Sequence, residues 1–391
     1  MSIEDGSNRS DQGQPPTARV EVGSAVEAPL ISENPDTLEM NGGGNVYAAL
    51  DLGTNNCRLL VAKPAPGGFD VIDAFSRTVR LGEELTSTGE LSQGAMDRTL
   101  SALKVCSGKI EKRGVTHLRA IATEACRLAE NGASFVERIK KETGISFDII
   151  TAEEEAALAA AGCAALADPS CENVLVFDIG GGSTELVWLD LSNRDEKTGQ
   201  PEIKAWSSLP CGVVTLTDHF RLSSDEFEDA PIGADLYESM VEFVRGRLRQ
   251  AGAYESFGKR PAEIGAHLLG TSGTVTTIAG ISLGLKRYDR NKVDGTWLHL
   301  DLVDQVSKRV AKMSRKARSK HPCIGRDRAE FIVAGCAILE AIRDVWPCDK
   351  LRVADRGLRE GILINLMSEA GDGDLARERV LGGSAKLAAR I

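Results

Sequence analysis

Two segments of a single design recur along the chain, Ala49-Leu-Asp51-Leu-Gly53-Thr54-Asn55-Asn56 and Val176-Phe-Asp178-Ile-Gly180-Gly181-Gly182-Ser183-Thr184. Each reads as an apolar strand ending in Asp, followed by glycines and small hydroxyl or amide residues. Glycine lets backbone N–H groups approach an anion closely, and Thr, Asn and Ser add neutral donors. The repeat therefore predicts a phosphate clamp built twice, with a third loop at Leu269-Gly270-Thr271-Ser272-Gly273-Thr274. The strand-end aspartates cannot face a phosphate directly, because like charges repel. Asp178, and next Asp51, are the candidate ligands of a Mg²⁺ or a water between the loops. The plainer role for either is to cap its turn by accepting from the loop amides.

The repeat extends beyond the loops. Strands are expected at 47–52, 57–63 and 69–80, then a helix at 91–112 with apolar residues at helical spacing. A strand at 117–122, a helix at 134–142 and a strand at 147–150 follow. An Ala-rich helix at 153–166 has Thr151 and Glu154 in capping-box spacing. Asp168-Pro169-Ser170 breaks the pattern and separates a first domain, 46–168, from a second, 169–367. The second restarts with strands at 173–178, 183–189 and 203–208, a polar turn at 193–199 and helices at 234–251 and 275–283 around a strand at 267–269. Helices at 301–319 and 326–344, a strand at 350–354 and a helix at 361–367 complete it. Residues 1–45, rich in Gly, Ser, Pro, Asn and Glu, read as a disordered leader, and 368–391 as a polar tail. Two such domains facing each other set both loops at the floor of one cleft.

Composition narrows the class. At 391 residues there is room for two domains of ordinary size, and 42% hydrophobic with 27% charged residues is a soluble globular balance. No apolar run approaches the roughly 18–20 residues that span a bilayer. The start, Met-Ser-Ile-Glu-Asp, has neither region of a secretory signal. Nine dispersed cysteines without a CxxC pair predict reduced thiols, a cytoplasmic location and no zinc site. Of the net charge of −10, residues 1–45 carry −6, leaving −4 on the body. Lys308, Arg309, Lys312, Arg315, Lys316, Arg318 and Lys320 crowd one stretch. It is either the solvated face of a helix or a basic track for a long polyanion. Neither nucleic acid nor membrane is expected as a partner, since total charge is negative and aromatics are only 5%.

With these residues placed, the chain resembles the exopolyphosphatase / guanosine pentaphosphate phosphatase family of the actin, sugar kinase and heat-shock ATPase superfold. The resemblance rests on seven motifs in order across 46–367. The first four are Asp51-x-Gly53-Thr-Asn55-x-x-Arg58, Thr78-Val-Arg80-Leu-Gly82, Ala122-Thr-Glu124-Ala-Cys-Arg127 and Ile150-Thr-Ala-Glu153-Glu154-Glu155-Ala. Then follow Asp178-Ile-Gly-Gly-Gly-Ser183-Thr-Glu185-Leu, Gly270-Thr-Ser-Gly-Thr274 and Asp355-Arg-Gly-Leu-Arg359-Glu360-Gly361. It implies an α/β fold of two actin-like (ribonuclease H-like) domains facing across an active-site cleft. It also implies Mg²⁺, with a monovalent cation as a further candidate, and a homodimer. The implied activity is release of terminal orthophosphate from inorganic polyphosphate, with hydrolysis of guanosine pentaphosphate (pppGpp) to the tetraphosphate beside it. Three departures stand out. The first loop is Gly-Thr-Asn-Asn where Gly-Ser-Asn-Ser is usual, and Ala157 stands where Arg is common. The chain also lacks the His-Asp dipeptide of the longer members' extra domain, so it resembles the short, catalytic-core type.

Hydrolysing a phosphoanhydride requires positioning the terminal phosphoryl, neutralising its oxygens and orienting a water in line. The resemblance places the catalytic carboxylate at Glu155, with Glu124 the second candidate as base or metal ligand. The plainer reading makes Glu153, Glu154 and Glu155 first-turn acids favoured by the helix dipole. Phosphate contacts are expected at Gly53, Thr54, Asn55, Asn56, Arg58, Arg80, Arg127, Gly180, Gly181, Gly182, Ser183, Gly270, Thr271, Ser272, Gly273 and Thr274. Arg58, Arg80 and Arg127 either fork onto phosphate oxygens or make surface ion pairs. Arg359 and Glu360 are expected to pair with each other. Two other readings stay open: an ATP-dependent small-molecule kinase of the same superfold, and a guanosine tetra- or pentaphosphate sensor with weak catalysis.

Overall fold

The computed structural model describes residues 44–195, 199–253, 257 and 265–373. Its strands fall into two sheets built on one plan. β1 (Tyr47–Leu52), β2 (Asn56–Ala65), β3 (Gly68–Thr78), β4 (His117–Ala122) and β5 (Asp148–Ile149) form the first, in the order β3-β2-β1-β4-β5. β6 (Asn173–Ile179), β7 (Thr184–Arg194), β8 (Pro201–Leu209), β9 (Ala266–Thr271), β10 (Trp297–His299) and β11 (Lys350–Val353) form the second, in the order β10-β11-β9-β6-β7-β8. In each sheet the opening strand pairs antiparallel with the next strand in sequence and parallel with one that returns after helices. Up to the aspartate near the end of each, these central strands are apolar from Tyr47 to Leu50 and from Val174 to Phe177, because both of their faces are covered.

Side-chain alternation along β6 divides two cores. Leu175, Phe177 and Ile179 pack among residues of the helices Ala234–Gln250, Gly273–Ser282, Leu300–Ala311 and Ile332–Val345. Val174 and Val176 point the other way, onto Ala156, Ala160 and Cys163 of the helix Ala152–Cys163. The same helix turns Leu158 toward Tyr47 and Ala49 of β1. Confinement between two sheets explains its alanines, since bulky side chains on both faces would force the sheets apart. The helix Leu358–Glu369 crosses it at glycines. A Cβ on Gly361 would lie 1.9 Å from the Leu158 carbonyl oxygen, and one on Gly162 2.0 Å from that of Gly357.

Several expectations change. The helix expected at 301–319 is two, Leu300–Ala311 and Arg315–Ser319, because Ser314 caps the second by accepting from the Ala317 amide. That expected at 326–344 divides into Gly325–Ala329 and Ile332–Val345. Thr151 accepts from the Glu154 amide, but the Glu154 carboxylate pairs with Arg119 and leaves the capping box half made. The helix Leu358–Glu369, expected within a domain of 169–367, packs on β1 of the first sheet, and it runs into the segment expected as a tail from 368. The leader up to residue 43, the tip of the polar turn at 196–198 and the tail from 374 lie outside the described residues. Three of the seven bases in the basic stretch have partners within the fold, and Lys308, Arg309, Lys312, Lys316 and Lys320 are exposed. Arg318 is buried, donating to the Ala329 and Met313 carbonyls, and burial brings its pKa down to about 10. Arg315 and Lys316 pair with Glu228 and Asp229. Among the described residues no helix is long and apolar enough to cross a membrane.

Candidate active site

Both central strands end at one cleft of about 310 Å³, and both turn out of it by the same bond. The Gly53 amide donates to Asn56 O (3.0 Å) and the Gly180 amide to Ser183 O (2.9 Å). The two loops touch: a Cβ on Gly182 would lie 2.8 Å from Thr54 Oγ1 and from Glu124 Cγ. Glycine is therefore required there by the neighbouring loop, beyond any approach to an anion. The third loop enters through Ser272, a non-glycine residue at φ 102°, a conformation that costs about 1–3 kcal/mol. Its hydroxyl accepts from the Thr274 amide, and the helix Gly273–Ser282 starts with its positive end on the cleft.

Of the expected residues, the cleft brings together Asp51, Gly53, Thr54, Asn55, Asn56, Arg58, Glu124, Glu155, Asp178, Gly180, Gly181, Gly182, Ser183, Thr271, Ser272, Gly273 and Thr274. Three expected phosphate contacts are not on its wall. Gly270 lies inside β9, where a Cβ would strike the Phe177 ring at 2.5 Å, so its smallness serves packing. Arg127 uses its guanidinium on Glu124, on Glu155 Oε2 (3.1 Å) and on the Ile150 carbonyl (2.7 Å). Arg80 forms an ion pair with Glu330. Arg359 and Glu360 attract each other as expected, but the direct bonds of Glu360 go elsewhere. Glu360 accepts from Arg290 Nη2 (2.9 Å) and the Gly357 amide (2.9 Å), while Arg359 lines the cleft.

Three consecutive glutamates take three environments. Glu153 is exposed, Glu154 meets Arg119, and Glu155 turns into the cleft beside Arg127. Burial pushes the Glu155 carboxyl up to about 7; Arg127 opposes this, and Asp51 and Asp178 add to it. Burial likewise raises Asp178 to about 6 and Asp51 above its ordinary value, with Arg58 lowering both. Sequence reading gave no site role to several wall residues: Arg328 was missed, and Arg356 and Arg359 were seen only as part of a motif. It also gave no role to Glu185, which pairs across strands with Asp178, accepts from Ser208 Oγ (2.9 Å) and is raised well above the carboxylate range by burial. The run Arg326-Asp327-Arg328 ahead of an apolar helix was the available signal for Arg328.

The carboxylates of Asp51 and Asp178 would suit a hydrated Mg²⁺. Among the described residues no three His, Cys, Asp or Glu converge as a metal cage. Yet each aspartate is held up by burial and Asp178 further by Asp51, a repulsion that a shared cation relieves. Asn55, on the wall of the same cleft, has its Oδ1 buried without a hydrogen-bond partner, an acceptor suited to a metal-bound water.

Comparison with known proteins converges on one group. The Ppx/GppA phosphatase family matches residues 60–370. Over 343 residues the chain is 29% identical to the guanosine-5'-triphosphate,3'-diphosphate pyrophosphatase of Vibrio vulnificus, covering 87% of this chain and 63% of that protein, so it spans less than two thirds of the relative's length. The crystal structure of the Aquifex aeolicus Ppx/GppA family member aligns at TM-score 0.67 and 28% identity, over 83% of this chain and 98% of that one. An exopolyphosphatase from Cytophaga hutchinsonii aligns at TM-score 0.72 and 24% identity, over 83% and 98%, a likeness of fold alone. The chain belongs to the Ppx/GppA phosphatase family.

Proposed function

We propose that the chain is a phosphoanhydride hydrolase that releases orthophosphate from the end of inorganic polyphosphate, with pppGpp as a second substrate of the same bond type. The observation that carries this is Glu155, a carboxylate on the wall of a cleft built from three amide- and hydroxyl-rich loops, with its pKa near 7. Loop amides and the Thr54 hydroxyl receive the terminal phosphoryl oxygens, while the Thr271 hydroxyl is held by the Arg356 carbonyl. Arg58 and Arg359, both on the wall, carry positive charge to them. Glu155 accepts the proton of the water that attacks the terminal phosphorus, and the shortened phosphate chain leaves on the opposite side. Arg127 holds Glu155 and Glu124 in place and so acts as a positioning residue. Asp51 and Asp178 would hold Mg²⁺, which supplies charge neutralisation for the phosphates. The nine cysteines are free thiols, most of them buried, which supports a cytoplasmic location.

Glu155→Gln tests the reading. Orthophosphate release should fall by about 10²–10⁴-fold, the range for a general base, while the circular dichroism spectrum is kept. Undiminished release from that variant contradicts the assignment and moves the base to Glu124.

A further inference from the structure

At the rim of the cleft a carboxylate occupies the donors expected to meet phosphate. Arg80 Nη2 donates to Glu330 Oε2 at 2.7 Å, and the Phe331 ring lies under the guanidinium, 5.7 Å from its centroid. The other Glu330 oxygen accepts the Ser223 hydroxyl. Arg80 follows β3 of the first sheet. Glu330 directly precedes Phe331 and Ile332, which line the cleft from the second sheet's side. The pair therefore ties one half of the cleft to the other.

The Arg80 end is positioned with some care. Its φ is 51°, in the left-handed region that non-glycine residues rarely adopt. The Val79 and Arg80 amides both donate to the Asn55 carbonyl (2.9 and 3.0 Å), and the Gly82 amide to that of Thr54 (2.9 Å). Arg98 Nε holds the turn through the Val79 carbonyl at 3.0 Å. The Arg80 backbone is thus bonded at a fixed offset from the first phosphate loop. Its side chain is 44% exposed and that of Glu330 16%, and ion pairs of such exposure are weak enough to be exchanged. Asp218 stands nearby, raised by burial and then by Glu330 while Arg80 opposes, so two carboxylates share one cation.

We propose that Glu330 is an intramolecular competitor for Arg80 and sets substrate choice. Arg80 passes from Glu330 to an outer phosphate of a long chain, whereas a chain too short to reach it leaves the two halves tied. This rests on the phosphohydrolase reading of the cleft and adds a specificity-determining residue to it.

The test compares wild type, Glu330→Gln, Arg80→Ala and the double variant, all as full chains. Steady-state orthophosphate release and calorimetric binding are measured with long-chain polyphosphate and with tripolyphosphate. Glu330→Gln, which can still accept from Ser223, should lower KM and Kd for the long chain by about three- to tenfold. It should leave tripolyphosphate affinity unchanged and kcat within about twofold. The effect should vanish in the Arg80→Ala background. An unchanged or raised KM and Kd for the long chain, equal effects on both substrates, or an effect that survives without Arg80 overturns the proposal. Binding without orthophosphate release in wild type overturns the hydrolase reading alone, since the Kd ratios still decide the role of Glu330. No binding by any of the four proteins overturns both.

Discussion

Glu155 combines a buried carboxyl with a single guanidinium neighbour, and under the proposed mechanism its protonation links turnover to stability. Its folded pKa is raised from an ordinary 4.5 to about 7, chiefly by burial. Between those values the folded chain holds a proton that the unfolded chain has lost. The contribution to stability is therefore present below about pH 4.5 and is lost as pH rises through about 7. Glu155→Gln, which cannot ionise, should equal the parent in stability below that window. Above about pH 8 it should exceed the parent by roughly 1–3 kcal/mol in urea denaturation. A variant less stable than the parent at high pH contradicts the buried, raised carboxyl. Turnover runs the other way: kcat/KM should climb with pH and level off above about 7. Asp51 and Asp178 share the field, so the apparent pKa belongs to the group of carboxylates. The motif order pointed to Glu155. The competing demand on Arg127 from Glu124, Glu155 and the Ile150 carbonyl could not be read, because those partners come from separate segments.

At the scale of elements, the helices Ala152–Cys163 and Leu358–Glu369 meet where neither tolerates a side chain. In an isolated helix Gly→Ala stabilises by about 1 kcal/mol, so the sign of the change is diagnostic. Gly361→Ala places a methyl 1.9 Å from a backbone carbonyl and should cost about 1–3 kcal/mol in denaturant melts, with reduced turnover because Arg359 and Glu155 ride on these two helices. A stabilised, fully active Gly361→Ala would contradict the close crossing. Strand positions and loops were legible in the sequence because period-2 apolar runs and glycine turns are local signals. The break at Ser314 depended on a single capping bond, and the return of the last helix to the first sheet depended on tertiary packing. Gly162 and Gly361 gave no local hint, being ordinary glycines in helical stretches.

Over the whole molecule, the two sheets share an order, their central strands share a turn, and both deliver an aspartate to one cleft. The duplication was visible in the sequence, since it repeats residues as well as structure. The segment of Arg356 and Arg359 was visible as a motif, but its place on the cleft wall, and Arg328 beside it, were not, because they come from segments that share no pattern with the loops. The central claim is that this cleft positions a water against a terminal phosphoanhydride. The most direct measurement is orthophosphate release by the purified chain with Mg²⁺, comparing long-chain polyphosphate, pppGpp and ATP. Release from polyphosphate or pppGpp, with little from ATP, is the predicted result. Silence on the first two substrates, or phosphoryl transfer from ATP to a small-molecule acceptor, would contradict it.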